Sequence, residues 1–169
     1  MKRFIGIDNY NIDDLIDKLG DLNLYELKYY VIYRYLPLVG NLSVLENIAL
    51  PTSYFKRIGI KNIIHSVERE LRLFGIEDKI HYRRDQLSEF EILLVKYLSA
   101  KIFGVKEIVF IRPLDHSGVG MTNHLIEFLK NCDENYTILD YNETYDDYKQ
   151  IDGIRKMEMN EWLIQDLKG

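Results

Sequence analysis

Short apolar runs alternate along this chain with longer stretches of helical period, and that alternation constrains the fold more than any other feature. Phe4–Asp8, Tyr29–Tyr35, Glu107–Ile111 and Thr137–Tyr141 are compact and rich in aromatic or branched residues, so they read as strands. Asp13–Leu19 reads as a short helix. Ile63, Val67, Leu71 and Phe74 fall on one face of another, which Gly75 stops. Leu125, Ile126 and Leu129 mark the inner face of a helix within Gly118–Asn131. A short helix is expected after Asn142, and Asn160 is expected to cap a last one carrying Trp162 and Leu163. Strands separated by helices predict an α/β fold, a parallel or mixed sheet with flanking helices. Pro37, Pro51 and Pro113 are each expected to end a strand or helix, with Val44–Ala49 a helical turn that closes before Pro51. With no repeat, low-complexity tract or Pro/Gly linker, residues 1–169 read as a single domain.

A length of 169 residues is enough to bury one core, and 47% hydrophobic with 29% charged residues is the balance of a globular protein. The net charge of −5 argues against nonspecific binding to nucleic acid or an anionic membrane, while leaving room for a local basic patch. Apolar runs are too short to cross a bilayer, Met1–Asp8 lacks a signal-peptide pattern, and Cys132 has no partner for an internal disulfide. These features predict a cytoplasmic protein that inserts in no membrane and reaches the inner membrane only peripherally, through a partner.

His65, His81, His116 and His124 have no helical i, i+4 pairing and are expected at surfaces or caps, so no metal site and no cofactor are predicted. Asp115-His116-Ser117 has the letters of a hydrolytic triad, but neighbours in sequence cannot fold onto one another, and a plain turn is expected. Asp133, Glu134, Asp140, Glu143, Asp146 and Asp147 read as a solvated acidic face, and Tyr25, Tyr29, Tyr30, Tyr33 and Tyr35 as the packing of a half-buried strand. Arg83 and Arg84 read as solvated or as contacts to an acidic partner.

Two phrases carry more information. Residues 42–51 read Leu-Ser-Val-Leu-Glu-Asn-Ile-Ala-Leu-Pro, and residues 86–98 read Gln-Leu-Ser-Glu-Phe-Glu-Ile-Leu-Leu-Val-Lys-Tyr-Leu. In the second, Ser88 and Glu91 form a capping box before a helix. From about Tyr29 to Tyr148 the order and spacing resemble a degenerate ABC transporter ATPase domain of the lipid- or lipoprotein-trafficking or cell-division type. The resemblance implies an incomplete phosphate-loop-NTPase-like sheet with a small helical subdomain at about residues 50–100.

The departures from that pattern strip it of chemistry. The family's metal-contacting glutamine falls on Arg34, which accepts no metal bond. The signature keeps Ser88 but loses its glycines, and Glu89 and Glu91 would set carboxylates against a partner's phosphate. The metal-binding aspartate becomes Ile111, the catalytic glutamate becomes Arg112, and the switch histidine falls on Asn142. Gly6, Gly20 and Gly40 are isolated, and no Gly-x-x-x-x-Gly-Lys-Ser/Thr loop occurs. The strand that carries this loop in the family is therefore expected to be missing, with the N-terminal strand and the tail after Lys149 as candidates to rebuild that side of the sheet.

The resemblance implies a noncatalytic subunit, not an enzyme. It would dock on a membrane permease, or pair with an active ABC ATPase or with a second copy of itself. Leu36, Pro37, Leu38, Leu42 and Leu45 would floor a groove for the permease's amphipathic helix. The alternatives are a soluble scaffold or regulator derived from the same fold, and one half of a split ATPase.

Overall fold

The computed structural model describes residues 1–22, 28–116 and 121–167; Tyr25, Ser117 and Gly118, which the sequence reading used, lie outside them. The chain forms two compact units. Residues 1–34 and 106–169 make a sheet unit, and residues 35–105 make a helical unit inserted between two of its strands.

The sheet unit has five parallel strands: β1 (Lys2–Gly6), β2 (Tyr29–Tyr33), β3 (Glu107–Ile111), β4 (Tyr136–Asp140) and β5 (Ile154–Met157). Their spatial order is β2-β3-β4-β1-β5. All five residues of β3 and of β4 are buried, as expected of interior parallel strands covered on both faces. One face meets α1 (Ile12–Leu22) and α7 (Met159–Leu167): Ile5, Tyr29, Tyr33, Val109, Ile111 and Leu139 pack with Leu15, Leu19, Met159 and Trp162. The other face meets α5 (Thr122–Lys130) and the single turn α6 (Tyr145–Tyr148). There Phe110 sits edge-on to Phe128 of α5 at 6.4 Å, and Phe4 lies 4.8 Å from Tyr145 and 5.6 Å from Tyr148. This period-two division of the strand residues builds the layered α/β architecture, which is consistent with a Rossmann-like or phosphate-loop-like sheet.

That side of the sheet is filled. β1 is interior, held between β4 and β5, and β5 comes from the tail after Lys149. The sequence pattern missed β5 because its middle residues, Arg155 and Lys156, are exposed and its apolar alternation is too short to register. Asn160 lies inside α7 rather than capping it, since Trp162 N–H already donates to Glu158 C=O at 3.2 Å.

The helical unit contains α2 (Val44–Phe55), α3 (Ile60–Leu73) and α4 (Glu89–Phe103). α2 packs on both α3 and α4. Residues 92–100 of α4 are buried without a break, the mark of a helix enclosed on all sides. The capping box of Ser88 and Glu91 forms, and Ser43 with Glu46 forms a second one at the start of α2. α3 ends at Gly75, whose φ of 66° is the left-handed conformation glycine adopts without strain.

Pro51 corrects an expectation: it sits inside α2, which runs on to Phe55. Its missing N–H frees the carbonyl of Asn47 one turn earlier. The Ser99 hydroxyl of α4 points at that carbonyl from 3.4 Å, so the gap is partly filled from the neighbouring helix. Tertiary packing thus overrides a local stop signal.

Candidate functional site

In an open parallel sheet, ligands bind beyond the C-terminal ends of the strands, where neighbouring strands send their connections opposite ways. β1 leads through α1 to β2 on one face, and β4 leads through α6 to β5 on the other. The switch point therefore falls between the ends of β1 and β4. Residues from four strand ends line this edge.

After β1 the chain runs Ile7-Asp8-Asn9-Tyr10-Asn11 into α1. Ile7 N–H still donates to Asp140 C=O at 3.0 Å, which extends the pairing with β4. Asn11 then caps the helix, its Oδ1 accepting from Asp13 N–H at 2.8 Å and from Asp14 N–H at 3.3 Å. Those are the orphan donors that would hold an anion at a helix N-terminus. Asp13 and Asp14 add two carboxylates in the first turn, which suit the helix dipole and repel phosphate.

The crevice itself is occupied. The Asn142 backbone N–H donates to both carboxylate oxygens of Asp8, at 3.3 and 3.1 Å, and its side-chain amide bonds the same carboxylate. The Asn142 amide also fills the space that a side chain on Gly6 would need, so glycine is required there to let the loop after β4 lie down. Desolvation works to raise the Asp8 pKa, but the hydrogen bonds from Asn142 and from its own backbone, with Lys156 nearby, hold it below the ordinary 3.8. Asp8 is thus a charged, satisfied plug.

The ends of β2 and β3 converge on Asp115. Arg34 Nη1 donates to the Asp115 carbonyl at 2.7 Å, and Arg112 Nη2 lies 3.2 Å from its carboxylate. Arg112 has a φ of 46°, a left-handed conformation that costs a non-glycine residue about 1 kcal/mol or more. Its N–H is held by Leu139 C=O at 2.8 Å, and its guanidinium stacks on the Tyr141 ring at 4.8 Å. Arg34 and Arg112 are therefore both turned onto the protein itself.

Asp140, at the end of β4, corrects its assignment to a solvated face: it is buried. Its carboxylate accepts from Tyr148 OH at 2.7 Å and from Tyr141 N–H at 2.8 Å. Burial raises its pKa above the ordinary 3.8, and Asp115 adds to that, while Tyr148, Tyr141 and Arg112 oppose it. His116 is likewise buried rather than at the surface, in the 3-10 turn Pro113–His116. Among the described residues no cluster of His, Cys, Asp or Glu could hold a metal ion.

The remaining sequence candidates lie in the helical unit. Ser88 Oγ and N–H are engaged by Glu91 at 2.9 and 2.8 Å, and Glu91 also pairs with Lys79. Desolvation pushes the Glu91 pKa up, but Lys79 and Ser88 outweigh it and leave it below 4.5. Glu91 is thus engaged both by Ser88 at the start of its helix and by Lys79. Glu89 reaches Arg84 at 3.4 Å. Of the expected docking residues, Leu36 and Pro37 are exposed and Leu38 and Leu42 half-buried, whereas Leu45 belongs to the core and cannot floor a groove.

Sequence reasoning passed over Asp8, Asn11, Asp13 and Asp14. The available signal was Gly6 followed at phosphate-loop spacing by Asn11, after a strand and before a helix. It also passed over Asn47, a buried amide that ties down the preceding segment. Asn47 Nδ2 donates to the carbonyls of Val39, Leu42 and Ser43 at 3.2, 3.1 and 3.0 Å, and Oδ1 accepts from Val39 N–H at 2.9 Å. Comparison with known proteins adds no relative: no protein-family model and no curated protein matches this chain.

Proposed function

We propose that this protein is a noncatalytic subunit of ABC-ATPase type, which docks on a membrane permease or pairs with an active ATPase, in lipid transport by resemblance. The observation that carries this reading is the self-closed ligand edge of the sheet unit. The strands before Arg34, Arg112 and Asn142 lie side by side as β2, β3 and β4. Next to them β1, its loop and α1 form a strand–loop–helix unit, the arrangement of a phosphate loop. On this reading Asn11, Ile12 and Asp13 stand where that loop has Gly, Lys and Ser/Thr, and the N–H groups of Asp13 and Asp14 are taken up by Asn11 beside two carboxylates.

A body arranged for nucleotide yet closed to it is useful as a surface rather than as a catalyst. Tyr35 is 68% exposed and is followed by exposed Leu36, Pro37 and Val39, which gives the docking segment apolar contacts without Leu45. The split-ATPase alternative is not favoured, because β1 already fills the interior strand position that a second chain would supply. The test is a mild-detergent pull-down of the tagged protein from its native cells, read by mass spectrometry. Recovery of an integral permease, with or without an active ATPase, is the expected result. Recovery of the protein alone or with soluble partners only sinks the transporter reading and leaves a scaffold.

A further inference from the structure

The end of α2, the start of α3 and the turn between them leave large apolar and basic side chains exposed. Tyr54 is 75% and Phe55 56% exposed, their rings packed edge to face at 4.9 Å, and Leu50 one turn before Tyr54 is exposed as well. Large apolar groups left together in water usually have a partner. Around them stand Lys56, Arg57 and Lys61, while residues 47–67 contain no Asp or Glu, in a chain whose net charge is −5. The nearest carboxylates that follow are already engaged: Glu68 with His65 at 3.3 Å, and buried Glu70 with Lys101 at 3.0 Å and Arg69 at 3.3 Å.

These cations do little for the fold. Lys56 reaches the Phe103 carbonyl and lies over the Phe103 ring at 4.7 Å, but Arg57 and Lys61 make no ion pair or hydrogen bond with any described residue. Lys61 sits in the first turn of α3, where the helix dipole disfavours a cation and no acidic residue offsets it. Arg57 holds a φ of 55°, which a glycine would adopt without strain.

We propose that this tip, Tyr54–Lys61 with Leu50, binds the anionic surface of a lipid bilayer directly. Aromatic rings with amphipathic character settle at the headgroup level, and neighbouring Lys and Arg are drawn to anionic lipid. The patch is local: at physiological salt a Debye length of about 8 Å screens it from acids elsewhere on the chain. No helix among the described residues is long and apolar enough to cross a membrane, so the contact is interfacial. The proposal goes beyond docking through a partner and does not depend on it, because the test contains no permease.

The purified full chain is sedimented with vesicles of phosphatidylcholine alone and of phosphatidylcholine with phosphatidylglycerol. Binding is expected only to the anionic vesicles, and is expected to be lost as salt rises toward about 1 M, where the Debye length is about 3 Å. Arg57→Gly and Lys61→Gln should each lower partitioning about fivefold. Tyr54→Ser should lower it about tenfold. Unchanged thermal melts keep these losses from being read as unfolding, and the salt series on the unaltered protein reads the charge contribution without any substitution. Three results overturn the proposal: no binding to anionic vesicles, equal binding to both vesicle types, or variants that bind like the parent. Binding to an acidic amphipathic peptide in place of vesicles would overturn it in favour of a protein partner.

Discussion

The strand-end loops of the sheet unit and the α2–α3 connection of the helical unit solve opposite problems. At the strand ends, polar side chains are turned inward upon one another: Asp8 on Asn142, Arg112 on Asp115, Asn11 on its own helix. In the α2–α3 connection, Arg57 and Lys61 have no described partner and Tyr54 and Phe55 lie open. The difference teaches that closing a site need not stabilise a fold. Asp8 and Asn142 are both exposed, and such bonds largely exchange for water, yet they block a crevice through steric fill and charge. Groups that do stabilise are buried, like Asn47.

The comparison can be broken most directly by reopening the closed edge. A graft of Asn11→Gly, Ile12→Lys and Asp13→Ser creates a phosphate-loop pattern from Gly6 onward, and Asn142→Ala removes the amide from the crevice. If closure is what keeps nucleotide out, affinity for a fluorescent ATP analogue should rise at least about a hundredfold over the parent, the worth of a few charge-assisted hydrogen bonds. A folded graft, verified by its melt, with no gain would mean that the edge is not a closed nucleotide site at all.

A smaller effect separates closing from stabilising. Asn47→Ala removes the amide's bonds to the carbonyls of Val39, Leu42 and Ser43 and the acceptor of the Val39 N–H, and should cost about 2 kcal/mol in urea unfolding. Asn142→Ala, at an exposed position, should shift the unfolding midpoint far less. Comparable shifts would erase the distinction drawn between the two kinds of contact.

The smallest expected effect is a difference in the sign of pH dependence. Asp140 has a folded pKa above its ordinary 3.8, so the folded chain holds the extra proton. Its contribution to stability is fully present below pH 3.8 and is lost as pH rises through the folded value. Glu91 has a folded pKa below 4.5, so its stabilisation is present above pH 4.5 and is lost as pH falls through the folded value. Unfolding midpoints measured across the acid range should therefore flatten in opposite senses for Asp140→Asn and Glu91→Gln. The same sense in both would mean that one of the two shifts is misassigned.

Much of this was legible in the sequence because local chemistry governed it. Glu107–Ile111 and most of the run Tyr29–Tyr35, as far as Tyr33, became strands, and Ser88 with Glu91 became a capping box, since apolar period and side-chain reach are properties of a few neighbouring residues. Pro51 was misread because its cost is set by what stands beside Asn47 C=O, which is Ser99 from a distant part of the chain. Asp140 was misread because burial belongs to the layers that α5 and α6 place over the sheet, not to the letter D in an acidic stretch. Gly6 looked isolated because its partner, Asn142, follows a different strand. The sequence by itself determined most of the strands and helices and the capping box of Ser88 and Glu91, because apolar period and side-chain reach are local. Only the tertiary structure decided the strand order, and with it that the ends of β1 and β4 meet and close a site, because side chains separated by most of the chain interact only after the sheet has formed.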